Sequence, residues 1–318
     1  MEDILSAFRV LSDRSFSCAG EVVETRSDSL VTKLQECIYR LCYTRPFDGT
    51  FLPATPHRDA DPELLRDLQN ANAARTHHEQ GWRIEQVHES GKILASKNGV
   101  SRWFLPGRFL TDRGPGFSAK EDGPASIYMP RDSTTEQPSF YMAYGETVSH
   151  DEEHKDILRF YWNVAVTGAP LLMALLTREL NRFQVPYLFK CGSRPEVYQR
   201  NDAAVLYINR RYYGIAGRII ASIYPGLAPA LQADTPLFTR RLADGLAFAE
   251  DPADGKSFGV NRCTIVAETL RTCYEQSLET VEQRLAELEK QFRDRGIDPQ
   301  RPYLNPGSRD NYEFSPLS

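Results

Sequence analysis

Isolated basic residues inside strand-like apolar runs limit what this chain can fold into more than any other feature. In Leu158-Arg159-Phe160-Tyr161-Trp162-Asn163-Val164, alternate side chains of a strand share a face. Arg159, Tyr161 and Asn163 therefore point one way, and Phe160, Trp162 and Val164 the other. In Tyr187–Cys191, Leu188 and Lys190 share one face, while Tyr187, Phe189 and Cys191 take the opposite one. A lysine cation between Phe189 and Cys191 is costly to bury alone. It must be neutralised, paired with a carboxylate such as Asp202, kept on an edge strand, or set against an anionic ligand. A lysine so placed is a candidate general base.

The rest of the chain supplies the layers such strands need. Leu30, Leu34, Cys37, Ile38 and Leu41 recur at helical spacing, and residues 1–46 read as helical. Asp61-Pro62-Glu63 starts a second helix with Asp61 as its N-cap. Strands follow at 82–88, 92–96 and 100–105, the last two joined through Asn98-Gly99, a strong hairpin signal. Further strands are expected at 127–129, 139–145, 158–166, 187–191 and 203–209, with helices after Gly168 and around 215–224. Residues 106–124 and 236–262 read as loops, and 263–295 as one long helix with loosely held residues beyond it. This predicts an α+β protein with a mixed, largely antiparallel sheet flanked by helices, a helical N-terminal region and a long C-terminal helix. The expected division is a helical region at 1–80 and an α+β domain at 81–318, or one continuous domain.

Composition narrows the function classes. A net charge of −5 argues against a general nucleic-acid or anionic-membrane binder. The six cysteines form no CxxC pair and no metal-ligand spacing, which fits reduced thiols in a cytoplasmic protein. No apolar run approaches membrane-spanning length, and Met1–Leu5 lacks a basic-then-apolar signal. The phosphate-binding, dinucleotide, serine-hydrolase and zinc-protease motifs are missing. His150 and His154 lie four apart among acids and read as a solvated turn, and His77-His78 as surface. All six histidines precede residue 155, so a proton donor in the central segment must be a tyrosine, a lysine or water. Tyr161, on the face of Arg159, is the first candidate. Arg159, Arg200, Arg210, Arg240 and Arg262 stand at the edges of apolar segments, where guanidinium forks bind phosphate bidentately or form salt bridges. Asp202, Glu250 and Asp251 are available to pair with them or orient them.

Ordered blocks in this region carry a resemblance. Arg159–Asn163, Leu180-Asn181 with Val185-Pro186, Phe189-Lys190 and Arg200–Tyr207 resemble the HopA-type effector-domain family, as do Pro236–Thr239, Ala249–Pro252 and Ser257–Gly259. The resemblance covers roughly residues 140–275. That family includes bacterial effectors delivered into plants and stand-alone proteins of ribosomal-peptide (thioamitide and class V lanthipeptide) biosynthesis. In the latter, a separate kinase-like protein phosphorylates Ser or Thr of a precursor peptide. The HopA-like member resembles a lyase that eliminates phosphate to leave dehydroalanine or dehydrobutyrine. The resemblance implies Lys190 as the α-proton base, with Tyr161 as acid where related phosphothreonine lyases carry a histidine. It further implies Arg159, Arg200, Arg240 and Arg262 as a phosphate clamp oriented by Asp202, with Asn163 and Arg210 also on the substrate. No metal or organic cofactor is required, and no nucleic acid or membrane is expected as partner. The rivals are a non-catalytic type III effector or phosphopeptide-binding protein, and a phosphatase-like hydrolase.

Overall fold

The computed structural model describes residues 1–53, 59–112, 119–149, 155–252 and 254–314. Helix α1 (Glu2–Ala7) leads into an antiparallel sheet of β1 (Phe8–Ser12), β2 (Ser15–Cys18) and β3 (Glu21–Glu24). The wholly helical reading of 1–46 is therefore corrected over 8–24. The Ala19-Gly20 turn has φ of 50° and 86°, and Phe8, Val10, Phe16 and Cys18 are buried at a two-residue period. Helix α2 (Leu30–Ile38) continues as a π turn over Tyr39–Tyr43. Asp61 caps α3 (Pro62–Ala71) as expected, its carboxylate accepting from the Glu63 and Leu64 amides.

Next come β4 (His77–Val87), β5 (Ile93–Lys97), β6 (Val100–Phe104), β7 (Phe109–Thr111) and β8 (Pro124–Met129), a five-stranded sheet in the order β6-β5-β4-β8-β7. Asn98-Gly99 makes the predicted turn, with φ of 52° and 80°. His77 and His78 begin β4; His150 and His154 lie outside the described residues.

The central sheet is built from β9 (Asp132–Ser133), β10 (Phe140–Tyr144), β11 (Ile157–Trp162), β12 (Leu188–Gly192), β13 (Ala204–Asn209), β14 (Arg240–Ala243) and β15 (Leu246–Glu250). Its order is β14-β15-β11-β13-β12-β10-β9, and every pairing among the described residues is antiparallel. Helix α4 (Ala169–Arg182) carries the chain from β11 to β12, which are parallel to each other but separated by β13. Helix α5 (Tyr213–Leu227) follows β13. The β14–β15 hairpin corrects the loop expected at 236–262: Gly245 at φ 65° closes it, and Leu246–Glu250 is buried throughout.

One face of this sheet (Leu158, Phe160, Trp162, Phe189, Leu206, Phe248) packs against apolar residues of α3, α4 and α5. The opposite face (Tyr161, Val205, Ala247, Ala249) meets α2, the π turn and α6 (Phe258–Glu275). The single long C-terminal helix of the sequence reading is two helices, α6 and α7 (Val281–Asp294). Between them Ser277 takes φ 56°, and Thr280 opens α7 with a capping box. Residues beyond α7 are not loose: Ile297, Leu304 and Tyr312 are buried.

Candidate functional site

Strand register assembles the site. Met142, Lys190, Val205, Tyr161 and Ala247 form one row across the sheet, paired strand to strand. The neighbouring row on the same face runs Tyr144, Leu188, Tyr207, Arg159, Ala249. Tyr207 thus separates the two principal cations. Arg159 Cζ lies 5.0 Å from its ring centroid and Lys190 Nζ 5.9 Å. Lys190 also sits over the Phe140 ring at 4.5 Å. These rings supply cation–π stabilisation. Among the described residues Lys190 Nζ makes no hydrogen bond or ion pair, and the side chain is half-buried.

Arg159 is buried, donates to Asp251 at 2.9 Å and leaves Nε without a partner. Burial raises the Asp251 carboxyl above its ordinary pKa, and the Arg159 charge only partly offsets this. The buried Tyr161 hydroxyl lies beside Tyr43 without a hydrogen bond of acceptable geometry. Burial pushes its pKa far above the ordinary phenol value, more than Arg159 lowers it. A phenol held there is a weak proton donor at neutral pH.

Arg200 is held by Asp202 through two parallel bonds, Nε at 2.8 Å and Nη2 at 2.9 Å. Tyr39, on the π turn, donates to Asp202 at 3.0 Å and accepts from Arg200 at 3.1 Å. Burial acts to raise the Asp202 carboxyl, but Arg200, Lys190 and Tyr39 together hold it below its usual range. Asp202 therefore does orient one of the arginines and feels the charge of Lys190. π turns cluster at functional positions, and this one delivers Tyr39 and Tyr43, whose rings stack at 4.9 Å.

The remaining candidates are held by other partners. Arg240 pairs in register with Phe248, whose side chain belongs to the α4/α5 face. It donates to Asp310 at 2.8 Å and the Tyr312 carbonyl at 2.9 Å. Arg210 binds Glu250, Tyr312 and Ser308. Arg262 is buried on α6 and donates to the carbonyls of Pro302 and Leu304. Both Asn163 amide donations are internal, to Asn201 and the Asp234 carbonyl. These four hold the chain's own tail and loops, so the geometry does not bring them to Lys190. The sequence reading missed Tyr207, Tyr39 and Phe140; strand parity put Tyr207 within reach, being opposite Arg159. It also missed Arg194, whose Nε and Nη1 are buried without partners just beyond β12. No group of three or more His, Cys, Asp or Glu is arranged to hold a metal ion among the described residues. No helix there is long and apolar enough to cross a membrane.

Tyr207, Leu188, Tyr144 and Asp251 also line a cleft of about 480 Å³ between the central and five-stranded sheets. The molecule is thus an antiparallel α+β protein with a lysine–arginine–aromatic cluster on one sheet face, beside a cleft that shares Tyr207 and Asp251 with it. The chain belongs to the HopA1 effector protein family, whose model matches residues 131–304. Two solved structures match the chain. The effector protein from Pseudomonas syringae pv. tomato strain DC3000 is 18% identical, covers 87% of this chain and 97% of its own, and gives a TM-score of 0.40. The effector from Pseudomonas syringae pv. syringae strain 61 is 17% identical, covers 87% and 96%, and gives 0.42. No curated protein matches the chain.

Proposed function

We propose that this HopA1-family protein is a phosphoserine/phosphothreonine lyase acting on a peptide phosphorylated by a separate kinase-like protein, in biosynthesis of a thioamitide- or lanthipeptide-type product. The observation that carries the reading is the pairing, around one ring, of a half-buried lysine amine without a protein partner and a buried arginine nitrogen left unsatisfied. Lys190 Nζ has no hydrogen-bond partner among the described residues, and the buried Arg159 Nε, across Tyr207, has none. A buried donor without a partner costs about 1–3 kcal/mol, a cost that an anionic ligand would relieve.

In the proposed step the phosphate sits at Arg159, and Arg200, bound to the Asp202 that feels the Lys190 charge, contributes further positive charge. The Lys190 amine takes the α-proton. The C–H electron pair becomes the Cα=Cβ bond, and the Cβ–O pair leaves with phosphate. The arginines stabilise the charge that develops on it. Tyr161, buried in the row beside Arg159, serves this reading better as a positioning residue than as the acid.

The test is mass spectrometry of a phosphothreonine peptide incubated with the protein and then with a thiol. Loss of phosphoric acid with thiol capture is expected, and Lys190→Ala should abolish it while the melting temperature stays within a few degrees. Return of hydroxyl would make the protein a hydrolase. The family's description as effectors favours a second reading, a non-catalytic phosphopeptide-binding effector. An unchanged peptide mass would select it.

A further inference from the structure

We propose that the cleft between the central and five-stranded sheets binds the apolar residues flanking the phosphorylated position, so that the protein selects substrates by sequence context as well as by phosphate. This inference rests on the lyase reading for its direction, but its geometry stands apart from the chemistry. The cleft is continuous with the cation cluster by strand register. Its wall on the central sheet is the row Tyr144–Leu188–Tyr207, and the next residue in that row is Arg159. Asp251, the ion-pair partner of Arg159, lines the cleft as well. A phosphoryl group at Arg159 would leave the rest of an extended peptide lying along this wall.

The opposite wall is open and sets exposed apolar side chains between Arg102 and Arg108. Leu105 is 63% exposed and Tyr128 37%, beside Trp103 on the same five-stranded sheet. A large apolar residue left in water next to a concave aromatic wall gains by being covered. The volume of about 480 Å³ falls within the range of about 300–1,000 Å³ usual for ligand pockets. Charge gives the occupant its polarity: anionic phosphate at the Arg159–Lys190 end and uncharged apolar side chains against Leu105, Tyr128 and Leu188. An aliphatic or aromatic residue within a few positions of the phosphoresidue meets both demands. The charged groups on the lining balance, Glu136 and Asp251 against Arg102 and Arg108, so the cleft holds no net charge to reward a run of acidic residues.

The experiment compares three substrates: N-acetyl-phosphothreonine methylamide, a phosphothreonine undecapeptide flanked by Leu and Phe, and the same peptide flanked by Asp. Elimination by the wild type is set against Leu105→Asp and Tyr128→Ala, both at exposed positions, with far-UV circular dichroism confirming the fold. The Leu/Phe peptide should surpass the other two in kcat/KM by at least about tenfold. Each variant should erase most of that advantage through KM, leaving kcat and turnover of the short substrate unchanged. Equal kcat/KM for all three substrates, or an advantage both variants retain, would overturn the cleft assignment. If no substrate is eliminated, the lyase reading fails and the cleft is judged by binding alone. Fluorescence anisotropy of the labelled Leu/Phe peptide should then give a Kd at least about tenfold weaker for both variants, and an unchanged Kd would overturn it.

Discussion

Arg159 has two obligations that substitutions can separate. It neutralises Asp251, which burial already raises, and it offers an unpartnered Nε beside Tyr207. Arg159→Gln leaves a half-buried carboxylate without its counter-ion, a loss of about 1–3 kcal/mol. Adding Asp251→Asn should restore the melting temperature. It should not restore elimination, because the phosphate contact remains missing; recovery of kcat/KM in the double variant would assign Arg159 a purely structural part. Asp202 makes a separate prediction in acid. Its folded pKa is depressed, so its stabilisation is complete above the unfolded value of about 3.9 and is lost as pH falls through the lower folded value. Asp202→Asn should flatten the stability-versus-pH curve in that acid window, measured by chemical denaturation. A curve with unchanged slope would mean the Arg200–Asp202–Tyr39 cluster does not form. Strand parity made the shared face of Arg159 and Tyr161 legible in sequence, while the placing of Lys190 on that face came only with the strand pairing. Their unequal exposure was not legible, because it depends on Phe258 and Tyr43 closing over Tyr161.

At the level of elements, the first turn of α6 and the π turn are fitted together at Gly259. A β-carbon there would lie 2.5 Å from the Tyr43 ring and 2.6 Å from the Tyr39 ring. Both rings are backed by the sheet, so neither can retreat freely. Gly259→Ala should cost about 1–3 kcal/mol by overpacking and displace Tyr39 from Asp202, weakening phosphopeptide turnover as well. A melting temperature and turnover equal to wild type would show that the π turn yields without consequence. The sequence pattern located β4–β6, β10–β13 and α3–α5 because each has either a clean period or a cap. It failed at β1–β3, at β7 inside the loop expected over 106–124, and at the β14–β15 hairpin. Leu246-Ala247-Phe248-Ala249 is buried on both faces and shows no polar alternation, and Asp244-Gly245 is a turn signal that was passed over.

Across the whole molecule, the tail after α7 decides which arginines are free to meet a ligand. Residues 296–314 run back over the sheet, and Tyr312 donates to the buried Glu250 at 2.6 Å. Arg210, Arg240 and Arg262 all spend donors on this segment. No local pattern reports such contacts, because the partners stand 40 to 102 positions away along the chain. The arrangement makes Arg240 and Arg159 opposites in a paired experiment. Arg240→Gln loses Asp310 and the Tyr312 carbonyl, so the melting temperature should drop by a few degrees, while kcat/KM below the transition stays within about twofold. Arg159→Gln with Asp251→Asn should do the reverse. A hundred-fold loss of kcat/KM in Arg240→Gln with unchanged melting would instead require the tail to release Arg240 to the substrate. That would turn the C-terminal segment from a brace into a moving part of the site.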